Sequence, residues 1–139
     1  MHLPIVGSID SFLAAAAMVV AGCPRSWRRT VIVGFAAFDM VAALTSVPVN
    51  PTTTALIVAF AILAAALVIV RARKYPVLFL IVPVLLSADN LVFSTFGIRT
   101  SLLSALIDGV SSGVMAAAGF VATTLVARSA RNTMEGAER

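Results

Sequence analysis

The chain has 139 residues, of which 60% are hydrophobic and only 12% are charged, and its mean hydropathy is +1.06. This composition is far from that of soluble globular proteins and is typical of an integral membrane protein. The net charge of +4 does not indicate a nucleic-acid partner, because the basic residues cluster at the ends of apolar segments. The single cysteine, Cys23, excludes an internal disulfide, a cysteine zinc site and a paired-thiol redox centre.

Five apolar segments reach or approach the roughly 20 residues that a helix needs to cross a bilayer. They cover 3–22, 30–47, 53–70, 76–97 and 102–127, and turn-like or basic stretches separate them. The first segment lacks a basic region at its start and is followed by arginines, so we interpret it as a retained helix and not as a signal peptide. We therefore predict an all-α integral membrane protein with five transmembrane helices in one domain, 1–127, and a polar cytoplasmic tail, 128–139.

The basic residues indicate the orientation of the chain in the membrane. Of the ten Lys and Arg residues, all but Arg99 follow the first, third or fifth segment. Because Lys and Arg are enriched in cytoplasmic loops, this distribution predicts an outside N-terminus and a cytoplasmic C-terminus. Trp27 and Tyr75 fall at the same cytoplasmic edge, where amphipathic rings are enriched. We expect a multi-pass protein in the plasma membrane of a prokaryotic cell.

Four aspartates lie within the predicted spans: Asp10, Asp39, Asp89 and Asp108. At a rise of about 1.5 Å per residue, each is roughly 10–20 Å from the outer end of its span. One intramembrane Asp can simply hydrogen-bond a neighbouring helix or stay protonated. Four carboxylates at a similar depth would repel one another unless a cation compensates their charge. The pattern therefore predicts a cation site or pathway inside the bundle.

The neighbouring side chains narrow the kind of cation. Oxygen donors dominate, whereas the only histidine, His2, stands at the start of the chain. Such a donor set suits Mg²⁺, Mn²⁺ or Ca²⁺ better than Zn²⁺ or Cu⁺. The metal would be the substrate, and no resident cofactor is expected. The predicted ligands are Asp10, Asp39, Asp89, Asp108, Asn90, Ser8, Ser11 and Ser87.

Two stretches share the pattern Pro-x-x-x-Ser-x-Asp: "PIVGSID", which ends at Asp10, and "PVLLSAD", which ends at Asp89. They lie on segments predicted to cross the membrane in opposite directions. Inverted repeats of this kind are typical of secondary transporters, whose substrate sites lie at the repeat interface near the midplane. We place the first repeat at about 1–71 and a partial second repeat at about 75–127. Pro83 is expected to kink the fourth span and free backbone carbonyls as ligands.

The stretches "SIDSF" and "LLSADNLVF" resemble the Asp-containing motifs of the LysE transporter superfamily, and within it those of the bacterial manganese-efflux pumps. "LLSADN" also resembles a motif of TerC-type membrane proteins. The resemblance implies two inverted three-helix repeats, with Asp10, Asp89 and Asn90 as the metal-handling residues. No sixth apolar segment follows Ala127. Either a second protomer supplies the missing helix in a homodimer, or the chain is a reduced relative with another role.

We expect above all a small secondary transporter that exports a divalent metal cation, with Mn²⁺ as the favoured substrate. Two alternatives stay open, namely export of another small cationic substrate such as an amino acid, and a non-transporting membrane partner subunit. An enzyme is not expected. The Gly-x-Gly-Asp motif of intramembrane aspartyl proteases is absent, and "LIDGVSSG" lacks the further Asp and Arg of a CDP-alcohol phosphotransferase.

Overall fold

The computed structural model describes residues 9–45, 49–88, 91 and 101–138. This part of the chain is all-helical, as the sequence predicts. Two of its helices, the third and the last, are long and apolar enough to cross a membrane, and two stretches, Ile9–Val20 and Pro76–Leu86, are apolar but shorter. The helices are α1 (Ile9–Val20), α2 (Arg25–Leu44), α3 (Pro51–Ala72), a 3₁₀ helix (Pro76–Leu80), α4 (Ile81–Leu86) and α5 (Leu102–Ala137).

Several helix ends differ from the ends of the apolar segments. α2 begins at Arg25, before the predicted start at 30, since arginine is a good helix former although it is not apolar. α3 begins at Pro51, and the Asn50 side chain caps it by accepting a hydrogen bond of 2.8 Å from the Thr52 N–H. α5 continues to Ala137 through the polar tail. Hydropathy detects where an apolar run ends. The ends of these helices depend instead on capping residues and on helix propensity.

The fourth predicted span, 76–97, does not begin as one regular α-helix. Its described part is the 3₁₀ helix followed by α4 and a turn at Ser87. Pro83 explains the irregularity, since it has no N–H to donate to the carbonyl four residues earlier. Pro83 itself lies inside α4, three residues after the 3₁₀ helix ends at Leu80, so the kink expected at this proline stays a prediction. Residues 89–90 and 92–97 lie outside the described part.

α5 packs mainly against α1 and α2, and α3 packs against the 3₁₀ helix and α4. Ser11 contacts Ser112, and Ala15 lies next to Gly119, so α1 and α5 run in the same direction. Arg28 contacts Thr124 near the opposite end of this group of helices.

α2 is antiparallel to α5 and parallel to α4. Met40 lies next to Gly109 towards the start of α5, whereas Arg28 lies next to Thr124 much further along it. On its other side α2 meets α4, where Pro83 packs against Gly34 and Ser87 reaches Asp39. The contacts of α1, α2, α4 and α5 thus have the directions expected if consecutive helices alternate up and down.

Glycines let α5 approach its neighbours at backbone distance. A methyl group at Gly109 would lie 2.5 Å from the Ala36 carbonyl oxygen, and one at Gly113 would lie 3.1 Å from the Ala36 side chain. A methyl group at Gly119 would collide with the Phe12 carbonyl oxygen of α1. Small residues at such positions are how membrane helices gain close van der Waals contact.

The basic end of the bundle is held by Arg28. Its Nη1 donates a 2.9 Å hydrogen bond to the Thr124 hydroxyl, and its guanidinium carbon lies 5.6 Å from the centroid of the Phe120 ring. This contact joins the start of α2 to the later half of α5. Cys23, in the turn before α2, is only 3% exposed.

We expect Gly109→Ala to lower the free energy of unfolding by about 1–3 kcal/mol, because the added methyl group meets backbone that cannot move aside locally. Gly136→Ala is the matched control on the same helix, since nothing lies within 4 Å of a methyl group there. Thermal unfolding in detergent micelles, followed by the fluorescence of the single tryptophan Trp27, measures both. Equal stability of the two variants would contradict the close α2–α5 contact.

We expect the thiol of Cys23 to resist maleimide labelling in the folded protein. Burial raises the pKa of this thiol, and the nearby Arg28 charge opposes the shift only in part. The reactive thiolate therefore forms at a higher pH than in an exposed cysteine. Labelling at pH 7.5, compared before and after denaturation, should be slow and then fast. Rapid labelling of folded protein would place Cys23 at the surface.

Candidate functional site

Asp39 lies at the contact between α2 and α4. Its side chain is only 5% exposed, and its Oδ1 accepts a 2.7 Å hydrogen bond from the hydroxyl of Ser87, itself buried. A serine of the second Pro-x-x-x-Ser-x-Asp stretch is thus hydrogen-bonded to an aspartate of a different helix, α2. Such a hydrogen bond offsets the cost of burying a carboxylate only while donor and acceptor keep a favourable distance and angle.

Pro83 takes part in the same arrangement. The Ser87 hydroxyl lies 2.6 Å from the Pro83 carbonyl oxygen, and the Ser87 backbone N–H donates to that oxygen at 3.0 Å. The hydroxyl has one hydrogen for two acceptors, the Asp39 carboxylate and the Pro83 carbonyl. The Ser87 side chain therefore links the end of α4 to the Asp39 carboxylate of α2. A movement of either helix would change the hydrogen bonds that Ser87 makes.

Asp10 occupies the first turn of the described α1 and faces a cavity between α1, α3 and α4. Its Oδ1 is buried and has no hydrogen-bond partner within the described part of the chain. The cavity has a volume of about 100 Å³, and its other walls are apolar. They are formed by Val58, Ala61, Ile62 and Leu86. A buried carboxylate oxygen without a partner is costly, which is why such atoms commonly mark a site for a proton, a water or a cation.

Three aspartates lie towards the same end of the bundle. Asp39 is close enough to both Asp10 and Asp108 to interact electrostatically with each. Asp108 is partly exposed and lies six residues after the start of α5, about 9 Å along its axis at the usual helical rise. The arginines and Lys74 of the described segments lie towards the other end, so no described cation neutralises this end.

Ser11 forms a contact between two helices. Its hydroxyl is fully buried and lies 2.6 Å from the hydroxyl of Ser112, so these two serines bond α1 to α5. The predicted role of Ser11 as a metal ligand stays a prediction beside this contact. Nothing in the sequence pairs these two residues, which are 101 positions apart.

The remaining predicted ligands, Ser8, Asp89 and Asn90, lie outside the described residues. Within the described part, no group of three or more carboxylate, imidazole or thiol side chains is placed to hold one metal ion. Asp10, Asp39 and Asp108 share one end of the bundle without forming a closed coordination shell. The metal site thus stays a prediction, whose completion depends on the Asp89–Asn90 pair.

α3 contributes more than the packing that its lack of charge suggests. Together with α4 it borders an open apolar groove of about 520 Å³, which we call the α3–α4 groove. The groove shares Ala61 with the cavity beside Asp10. Its lining residues are Thr53, Leu56, Ile57, Phe60, Ala61, Val84, Leu85 and Ala88. An apolar segment without polar residues gives no sequence signal that it will border a carboxylate.

Scans against protein-family models, curated proteins and solved structures find no match to this chain. The resemblance of "SIDSF" and "LLSADNLVF" to the LysE transporter superfamily stays a prediction from short motifs.

We expect Asp39 and Ser87 to stabilise the fold cooperatively. Asp39→Asn and Ser87→Ala should each destabilise the protein, and their effects in the double variant should fall short of the sum by about 1–2 kcal/mol. Thermal unfolding of the four proteins in one detergent measures the coupling. Ser104→Ala combined with Asp39→Asn is the control, because Ser104 is exposed at the start of α5. Additive effects of Asp39 and Ser87 would refute their hydrogen bond.

Proposed function

We propose that this chain is an integral membrane protein that transports a divalent metal cation, with Mn²⁺ as the preferred substrate. The membrane location is supported by the outer surface of the helices. On α3, Leu56 is 67% and Phe60 is 73% exposed, and α5 presents further exposed valines and leucines. Soluble monomers rarely expose continuous apolar surface of this extent. A lipid environment removes the cost of that exposure.

The arrangement of the helices supports the five-span topology with an outside N-terminus. α1 and α5 are parallel and α2 is antiparallel to α5, as alternating crossings require. The aspartates then lie towards the outer side and most arginines towards the cytoplasm. The positive-inside rule favours this orientation over its inverse.

The unpartnered buried oxygen of Asp10 carries the transport proposal. This oxygen faces a cavity, and the Asp39 carboxylate on α2 interacts with the Asp10 carboxylate electrostatically. Desolvated carboxylates near one another favour a cation between them. Asp10, Asp39 and Asp89 would bind the metal, with Asn90 completing the oxygen donors and Asp108 adding a further ligand. An oxygen-only donor set is consistent with Mn²⁺.

Ser87 suggests how binding could be linked to movement. It joins Asp39 to the carbonyl of Pro83 at the irregular end of α4. A cation that draws Asp39 towards itself would weaken this hydrogen bond and release α4 from α2. Alternating access in secondary transporters requires a coupling of this kind between ligand binding and helix position. Protons taken up by vacated carboxylates would make exchange for the outgoing metal ion plausible.

A non-transporting partner subunit is the second candidate, and the Ser11–Ser112 and Asp39–Ser87 contacts favour it. Both bury polar groups between helices, so polar residues of this chain do stabilise packing. In that case Asn would replace each Asp with a change in stability alone. Export of another small cationic substrate such as an amino acid is the third candidate, and it would use the same carboxylates. We also propose that the chain forms a homodimer, in which the second protomer supplies the missing sixth helix.

We expect purified protein in proteoliposomes to move ⁵⁴Mn²⁺ down an imposed gradient. Asp10→Asn and Asp89→Asn should each reduce the initial rate at least tenfold, because each removes a charged ligand from the proposed path. Glu135→Gln is the matched control, since Glu135 is exposed near the end of α5 and distant from the aspartates. Its rate should equal that of the wild type.

Mg²⁺, Ca²⁺, Zn²⁺ and lysine serve as competitors in the same assay. Inhibition by lysine with little effect of the competing metals would indicate that the substrate is an amino acid and not a metal ion. Absence of flux from protein that unfolds cooperatively would contradict transport and favour the partner subunit.

A further inference from the structure

The α3–α4 groove is unlike a site for a bare metal ion. Among its described lining residues Thr53 is the only one with a polar side chain. Its volume of about 520 Å³ is within the range of small-molecule sites, which are mostly apolar and contain few polar groups. A bare divalent cation requires several oxygen ligands, and this groove supplies almost none.

A carboxylate lies in the neighbouring cavity. Asp10 lines this smaller cavity, which shares Ala61 with the groove, and its Oδ1 has no hydrogen-bond partner in the described chain. The Asp39 charge reinforces the negative potential there. The described basic residues are located at the other end of the bundle, so none of them competes for Asp10.

We propose that the α3–α4 groove binds the apolar body of a monovalent organic cation, whose charge pairs with Asp10. This inference rests on the cation-binding role of Asp10 in the proposed function and adds a second class of ligand to the same end of the bundle. The chemistry required is a delocalised or quaternary cation with aromatic or aliphatic substituents. Such a molecule partitions into the bilayer and reaches the groove from the side, where it is open.

A neutral lipid chain would also cover the apolar walls, but it would leave Asp10 unpaired. The charge of the ligand therefore decides between the two occupants. Ala61 lines both the groove and the Asp10 cavity and is 7% exposed, so a larger side chain at this position would take up space in both. Ala65, one turn later on the same face of α3, is 3% exposed and lines neither space in the described structure.

The test is equilibrium binding of radiolabelled tetraphenylphosphonium to the full chain in nanodiscs, with protein-free nanodiscs as the background. The wild type should bind it saturably. Asp10→Asn and Ala61→Leu should each weaken binding at least tenfold, whereas Ala65→Leu should bind like the wild type. Triphenylphosphine oxide, which has a similar apolar body and no net charge, should not compete at the same concentration.

Competition by triphenylphosphine oxide as strong as that by unlabelled tetraphenylphosphonium would overturn the proposal without any variant, because it would show that the apolar body and not the charge is recognised. Absence of saturable binding, or full binding by folded Ala61→Leu, would overturn it as well. ⁵⁴Mn²⁺ flux by the same preparations separates the two proposals. Flux without tetraphenylphosphonium binding leaves the metal transporter standing and removes the organic-cation site, and binding without flux does the reverse.

Discussion

The close approach of α5 to α1 and α2 is the constraint on which the rest of the structure depends. It is possible because α5 presents glycines at close contacts with its neighbours, at Gly109 against Ala36 and at Gly119 against α1. In the bilayer proposed for this chain no hydrophobic effect would drive helices together, so van der Waals contact over small residues and a few buried hydrogen bonds would have to do so. The same register places Ser11 opposite Ser112 and brings Asp108 to the end of the bundle where Asp10 and Asp39 lie.

This geometry sorts charge along the bundle. The described aspartates of the spans occupy one end, and Arg28 with Thr124 and Phe120 fixes the other. Burying carboxylates in an apolar environment is costly unless they are hydrogen-bonded, protonated or paired with a cation. Ser87 provides part of the compensation for Asp39, while Asp10 Oδ1 has none in the described structure. The uncompensated part is what a transported cation would supply, and that is the physical basis of the proposed function.

Composition and the spacing of apolar runs were sufficient to predict that the described chain is all-helical. They could not predict where α2 begins or where α5 ends, because polar residues with good helix propensity extend both helices without adding to the hydropathy. The aspartates were identifiable from sequence because charge is rare in such segments. Their partners were not, since Ser11–Ser112 and Asp39–Ser87 join residues far apart in the chain. Nor could the sequence predict that α3 borders the cavity beside Asp10, as apolar residues such as Ala61 give no sign of what they border.

The central claim is that Asp10 and Asp39 act on one cation. Electron paramagnetic resonance of free Mn²⁺ in solutions of the purified protein measures equilibrium binding without requiring transport. The account predicts a saturable site in the wild type that is weakened at least tenfold in Asp10→Asn and in Asp39→Asn, with the double variant little weaker than either. Saturable binding that both single variants retain in full would contradict it, because the carboxylates would then serve the packing of the helices alone.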